Sequence, residues 1–188
     1  MSEFADRYRK IAAQFTQRVE SVPADAWDRP APCEGWVARD VVRHLVEWGP
    51  PMLFDRWDIK RPEVPSVDDD PAAAWRAVDE AIQAALDDPA VATSERETQM
   101  GDNSLEKVAD MIWTNDVLVH TWDLARATGQ DETLDADTVS RMYAGMEPME
   151  DAIRNSGHFG PRVEVPDDAD PQTKLLAFTG RNPDWSPA

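Results

Sequence analysis

The sequence predicts an all-α protein, a helical bundle with one extra short helix and room for short strands in its loops. Three observations predict it. Apolar residues recur at spacings of three and four over several long stretches. Several of those stretches open on Ser or Asp, and some close on glycine, the residue types that start and stop helices. Only residues 88–103 lack a period among segments long enough to be elements, and any short strands fall there.

Phe4, Tyr8, Ile11, Phe15, Val19 and Val22 give the first helix one buried face over residues 3–22. The next segment, PADAWDRPAPCEGW, has three prolines and a glycine and reads as an ordered, irregular connection. A second helix runs from near Val37 to about Trp48, where GPP is expected to break or kink it before MLFDRW. A proline-rich, acidic linker leads to Asp70-Pro71, an N-cap aspartate followed by proline in the first turn, and a third helix extends through about Leu86. Ser104 caps a long fourth helix that Gly129 ends. A fifth spans Asp135 to Asn155 with a bend at Pro148, RVEVP reads as extended, and a last short helix runs from Asp170-Pro171 to Gly180.

The length suits a single domain over residues 1–188 with a full core. Lys and Arg total 19 against 37 Asp and Glu, a formal charge of −18 that repels nucleic acid and anionic membrane surfaces, so neither is an expected partner. A single cysteine, Cys33, excludes an intramolecular disulfide. The N-terminal stretch lacks a signal-peptide core, and no run approaches the ~20 apolar residues of a membrane span. A soluble, cytoplasmic protein is expected.

Candidate chemistry concentrates in NDVLVHTWDLARATG, residues 115–129. At 100° per residue Asp116, His120 and Asp123 fall within roughly 60° of one another. They share that sector with Leu105, Ala109, Ile112, Val119 and Ala127, while Met111, Leu118 and Trp122 form a second apolar stripe. Burying a carboxylate and an imidazole there costs several kcal/mol unless they are paired or bind a metal. His44 shares its face with Val37, Val41 and Trp48. If the two helices neighbour each other, His44, Asp116 and His120 offer two imidazoles and a carboxylate, enough to hold a divalent metal with positions left open. The competing reading is a buried hydrogen-bond network in which Asp116 orients His120.

Other residues carry paired readings. Glu47 is a fourth ligand or a surface partner of Arg43. Asp123 accepts a proton from a ligating histidine or pairs with Arg126 or another arginine. Cys33 touches a metal or a bound thiol, or is a small buried apolar group. His158 in NSGHFGP is a loop histidine or lines the pocket. Trp36, Trp48, Trp113 and Trp122 are core by default, and Trp48, on the His44 face, is the one expected to wall a bound cofactor.

PCEGWVARDVVRHLV, NDVLVHTWDLARATG and FGPRVEVPDDADPQTKLLAFTGRNPDW resemble, in order and spacing, a DinB-like family related to the metal-binding domain of mycothiol-dependent maleylpyruvate isomerase. The resemblance covers most of the chain. It implies a DinB-like four-helix bundle with a metal on His44, Asp116 and His120, and mycothiol as a co-substrate. It departs at Asp116, where the isomerase carries glutamate, and in the tail from about residue 157, which is shorter than the isomerase's C-terminal domain. What carries over is metal–thiol chemistry rather than maleylpyruvate isomerisation itself: a thiol-dependent transferase or isomerase acting on an electrophilic small molecule. Zinc suits imidazole, carboxylate and thiolate together, with nickel or iron as alternatives. The other readings are a metal-dependent hydrolase and a non-catalytic metal-binding or ligand-sensing bundle, with homodimerisation open to it.

Overall fold

A computed structural model describes residues 2–98, 101–155 and 159–187. Helix α1, Glu3–Glu20, starts where the Ser2 hydroxyl accepts the Ala5 backbone N–H. It buries Tyr8, Ile11, Phe15 and Val19, the stripe its spacing predicts. Helix α2, Ala38–Pro50, opens at an extended Val37 whose backbone N–H donates to Asp40. The regular α-helix gives way at the two prolines, as GPP predicts, but the helical path does not stop there. Pro50 and Pro51 both hold right-handed helical dihedrals, and the chain continues as a π-helical turn, Pro51–Asp55. Proline removes an N–H and crowds the carbonyl one turn back, and a widened turn accommodates both effects without ending the helix.

Helix α3, Pro71–Asp87, begins with Asp70 accepting the Ala73 N–H, as its Asp-Pro start predicts. The aperiodic segment holds a short helix α4, Pro89–Ala92, and an antiparallel pair, β1 Glu95–Thr98 and β2 Gly101–Ser104. The long fourth rod is one path in three parts: helix α5, Leu105–Val108, a π-helical turn Ala109–Thr114, and helix α6, Asn115–Thr128, closed by left-handed Gly129. The π turn rotates the residues before it relative to α6. Leu118 and Trp122 are buried as expected, but Met111 is 46% exposed, so the second stripe does not extend back to it.

Helices α1, α2, α3 and α6 form the four-helix bundle, with α1 and α2 each packing against both α3 and α6. Its core joins Tyr8, Phe15, Leu45, Trp75, Ile82, Trp113, Leu118 and Trp122. Two of its buried polar tips are paired: the Tyr8 hydroxyl donates to Asp79 and the Trp75 indole to Thr16, each at 2.8 Å. Gly49 is required because a Cβ there would lie 2.2 Å from the Trp113 ring. The fold is thus all-α with a two-stranded sheet in a loop, as the sequence predicts, and among the described residues no helix is long and apolar enough to cross a membrane.

Outside the bundle, helix α7, Ala136–Met146, passes through a 3-10 turn at Glu147–Met149, where the Pro148 bend was expected, into helix α8, Glu150–Asn155. Helix α9, Pro171–Phe178, packs on α7. Gln172 ties it to the preceding loop by accepting the Leu134 N–H and donating to the Glu132 carbonyl, both at 2.9 Å. The expected extended piece RVEVP forms no strand, although the Val163 N–H donates to Ala177 O of α9. At the end of α9, Gly180 has φ +85°, and a Cβ there would meet Gly160 backbone at 3.1 Å. Only glycine meets both conditions. The turn lets the Arg181 N–H cap Leu176 O and brings the Arg181 side chain back towards α6.

Candidate metal centre

His44 on α2 and Asp116 and His120 on α6 converge where those helices pack. One donor atom from each lies within 4.8 Å of the others. His44 Nε2 stands 3.1 Å from Asp116 Oδ2, and His120 Nε2 stands 3.5 Å from Asp116 Oδ1. Two donors each about 2.1 Å from a tetrahedral ion would be roughly 3.4 Å apart, so these separations fit a shared divalent cation. The donor chemistry also fits, since two imidazoles and a carboxylate suit zinc, nickel or iron. His120 is 5% exposed at its side chain, against 27% for His44 and 24% for Asp116, so the cluster opens to solvent on the His44–Asp116 side.

Indole rings hold the imidazoles in place. Trp48 stacks on His44 at 5.6 Å with an interplanar angle of 10°, and is backed by Trp113 at 6.3 Å. Trp36 lies 5.2 Å from the His44 ring and stacks on His120 at 5.8 Å. Trp48 therefore packs beside the cluster, stacked on both His44 and Trp113, and braces the imidazole. Trp36 is a second brace, indistinguishable in the sequence from a core tryptophan.

Behind His120 lies a buried charged group. Asp123 is 0% exposed, and the Arg181 guanidinium grips it with Nε 3.3 Å from Oδ1 and Nη2 2.8 Å from Oδ2. The same Oδ2 is 2.8 Å from His120 Nδ1, out of line with the N–H direction, so the contact is an electrostatic one more than a formed hydrogen bond. The Cys33 thiol donates to this oxygen at 3.5 Å. The expected partner Arg126 is elsewhere, pairing with Glu132 and stacking over Trp122. Of the two roles the sequence left open, Asp123 takes the pairing with an arginine, and it also lies against His120. That arginine is 58 residues away in sequence, and its only signal was the need of a buried Asp123 for a cation.

Electrostatics follow from these contacts. Burial pushes the Asp123 carboxyl up, but the charge of Arg181 and then the His120 contact outweigh it and hold Asp123 well below the usual carboxylate range. Asp116 is also lowered: burial raises it, while His120, His44 and Arg181 together pull it down further. Burial first, then the negative charge of Asp123, pushes the Cys33 thiol up to about 12. Cys33 therefore stays protonated and acts as a donor within the buried group, on the Nδ1 side of His120 and away from the three convergent donors.

Glu47 is exposed and outside both groups of convergent donors among the described residues, His44–Asp116–His120 and Cys33–His120–Asp123; Arg43 bonds Asp68 and Asp40. His158 lies outside the described residues.

The family model for the mycothiol maleylpyruvate isomerase N-terminal domain matches residues 8–50, which span α1 and α2 and include His44. Over 176 residues, 93% of this chain and 95% of the relative, the chain is 30% identical to the uncharacterized protein Rv0738 of Mycobacterium tuberculosis strain ATCC 25618 / H37Rv. The same figures hold for the uncharacterized protein MT0763 of Mycobacterium tuberculosis strain CDC 1551 / Oshkosh. No solved structure matches the chain. With these relatives aligned over nearly their whole length and the family model on its first two helices, the chain belongs to the DinB-like family of the mycothiol maleylpyruvate isomerase N-terminal domain.

Proposed function

We propose that this chain binds a divalent metal, zinc in the first place, through His44 Nε2, the Asp116 carboxylate and His120 Nε2, and that it uses the centre to present a low-molecular-weight thiol of the mycothiol class to an electrophile. The observation that carries the reading is the convergence of these three donors at spacings a single ion would span, with one side open to solvent. When bound, the metal supplies a positive charge that lowers the pKa of a coordinated thiol, so that thiolate forms near neutral pH.

The chain's own groups have distinct tasks in this reading. Asp116, held ionised by its neighbours, brings negative charge to the ligand set. Trp36 and Trp48 keep His44 in its ring plane at the mouth of the site. His120 is buried and packed against Trp36, so it forms the floor. A reaction among reduced thiols would suit a cytoplasmic location, which is part of this proposal.

Metal-assisted hydrolysis is less well supported, because it needs a free general base beside the metal. Glu47 is exposed outside the cluster, and both oxygens of Asp123 are engaged by Arg181. The deciding experiment incubates zinc-loaded protein with thiol-reactive electrophiles, with and without mycothiol. Consumption of electrophile that depends on added thiol is expected. Turnover indifferent to thiol would favour hydrolysis, and tight metal binding without turnover on any electrophile would favour a sensing or storage role.

A further inference from the structure

We infer that Arg181 is a positioning residue for this centre: by gripping Asp123 it fixes the carboxylate against His120 Nδ1, and so directs the opposite nitrogen, Nε2, at Asp116 and His44. The consequence for metal affinity rests on the metal reading above, whereas the geometry of the ring does not.

Arg181 is fully committed inside the protein. Its Nε and Nη2 bond Asp123, its Nη1 donates to Thr179 O at 3.3 Å, and Nη2 lies 3.8 Å from Cys33 Sγ. It is therefore placed to organise the site rather than to meet a substrate. A guanidinium gripping a carboxylate through two nitrogens sets the plane of that carboxylate as well as its charge. The shared atom is Asp123 Oδ2, which is 2.8 Å from both Arg181 Nη2 and His120 Nδ1.

His120 has a carboxylate oxygen near each ring nitrogen: Asp123 at 2.8 Å from Nδ1 and Asp116 at 3.5 Å from Nε2. The nearer one decides where a single proton rests, and a carboxylate against one nitrogen of a ligating histidine fixes the tautomer and frees the other nitrogen as donor. The Asp123 oxygen is out of line with the N–H. The ring contact does not hold it there; the two-nitrogen grip of the guanidinium does, with the longer Cys33 thiol contact beside it. The guanidinium arrives from outside the bundle, set by the Gly180 turn that ends α9.

The experiment compares metal-free wild-type protein with Arg181→Met, Arg181→Lys and Arg141→Met, all labelled with nitrogen-15. The imidazole correlations are recorded at a pH where the rings are neutral, and zinc affinity is then measured by chelator competition. Wild type is expected to show His120 as a single form with its proton on Nδ1. Arg181→Met should replace that pattern with an averaged or Nε2-protonated ring and weaken zinc binding about 10–100-fold, the usual range for removing such support. Arg181→Lys keeps the charge without the fork and should fall between. If Arg181→Met does not fold, the lysine variant alone carries the comparison. Arg141→Met breaks a different ion pair, on the buried Asp110, and should move neither reading. An unchanged His120 pattern and unchanged zinc affinity in both Arg181 variants would overturn the inference, as would an equal change in Arg141→Met. A wild-type protein with an Arg181-dependent tautomer and no zinc binding would sink the metal reading while supporting this one.

Discussion

Two buried carboxylates lie along the same rod, and their surroundings differ in one respect. Asp110, in the π turn before α6, is 4% exposed and lies between Arg7 of α1, at 2.5 Å, and Arg141 of α7, at 3.1 Å. Asp123, on α6, is 0% exposed and meets one guanidinium, one thiol and one imidazole. Both satisfy the requirement that a buried charge be paired. At Asp110 the compensation is purely cationic and ties three elements together. At Asp123 one oxygen is shared with a ring nitrogen, so the same kind of ion pair extends to a candidate metal donor. A single guanidinium leaves room for the imidazole, and two do not.

The largest expected effect tests that contrast. Asp123→Ala strands the largely buried Arg181 charge and should cost about 3–5 kcal/mol in urea unfolding, whereas Asp110→Ala leaves Arg7 and Arg141, both open to solvent in part, and should cost less. Only Asp123→Ala should also weaken zinc binding. Equal losses of affinity in the two variants, normalised to folded protein, would erase the distinction. Next in size is Gly49→Ala. Its new methyl must displace the buried Trp113 ring, costing about 1–3 kcal/mol, and because Trp113 backs Trp48, which backs His44, the indole fluorescence should shift with the melting temperature. A variant with wild-type stability would show that this packing is looser than described.

The smallest effect lies outside the centre. Burial pushes the Asp135 carboxyl up, but Lys10 and Thr138 more than offset this, and its pKa sits below the ordinary value. A group lowered on folding stabilises above its unfolded pKa of about 4 and loses that contribution as pH falls through the folded value. Asp135 also caps α7 through the Thr138 N–H. Asp135→Ala should therefore cost about 1 kcal/mol at pH 7, and the gap to wild type should narrow at pH 3. A gap of constant size would assign the effect to something other than the charge.

The sequence made His44, Asp116 and His120 legible because helical period turns spacing into direction, and burial of polar groups in an apolar stripe demands a partner. The bundle and its Asp-Pro starts at Pro71 and Pro171 were legible for similar local reasons. The two π turns were not, since a widened turn reflects how prolines and neighbouring rods settle against each other and leaves no period in the chain. That is why Met111 falls on the surface and the helical path continues past Pro50 as a widened turn. Arg181 was hidden for another reason: a lone arginine after a glycine stop looks like any exposed cation, and its pairing depends on a turn that only the packing of Gly180 on Gly160 makes.

The most direct measurement titrates metal-free protein with zinc or cobalt and follows stoichiometry alongside helix content by circular dichroism. The account predicts stoichiometric binding by wild type and by Glu47→Ala, and its loss in His44→Ala, Asp116→Ala and His120→Ala with helix content largely kept. Undiminished binding in His120→Ala, or no binding by the wild-type chain, would contradict it.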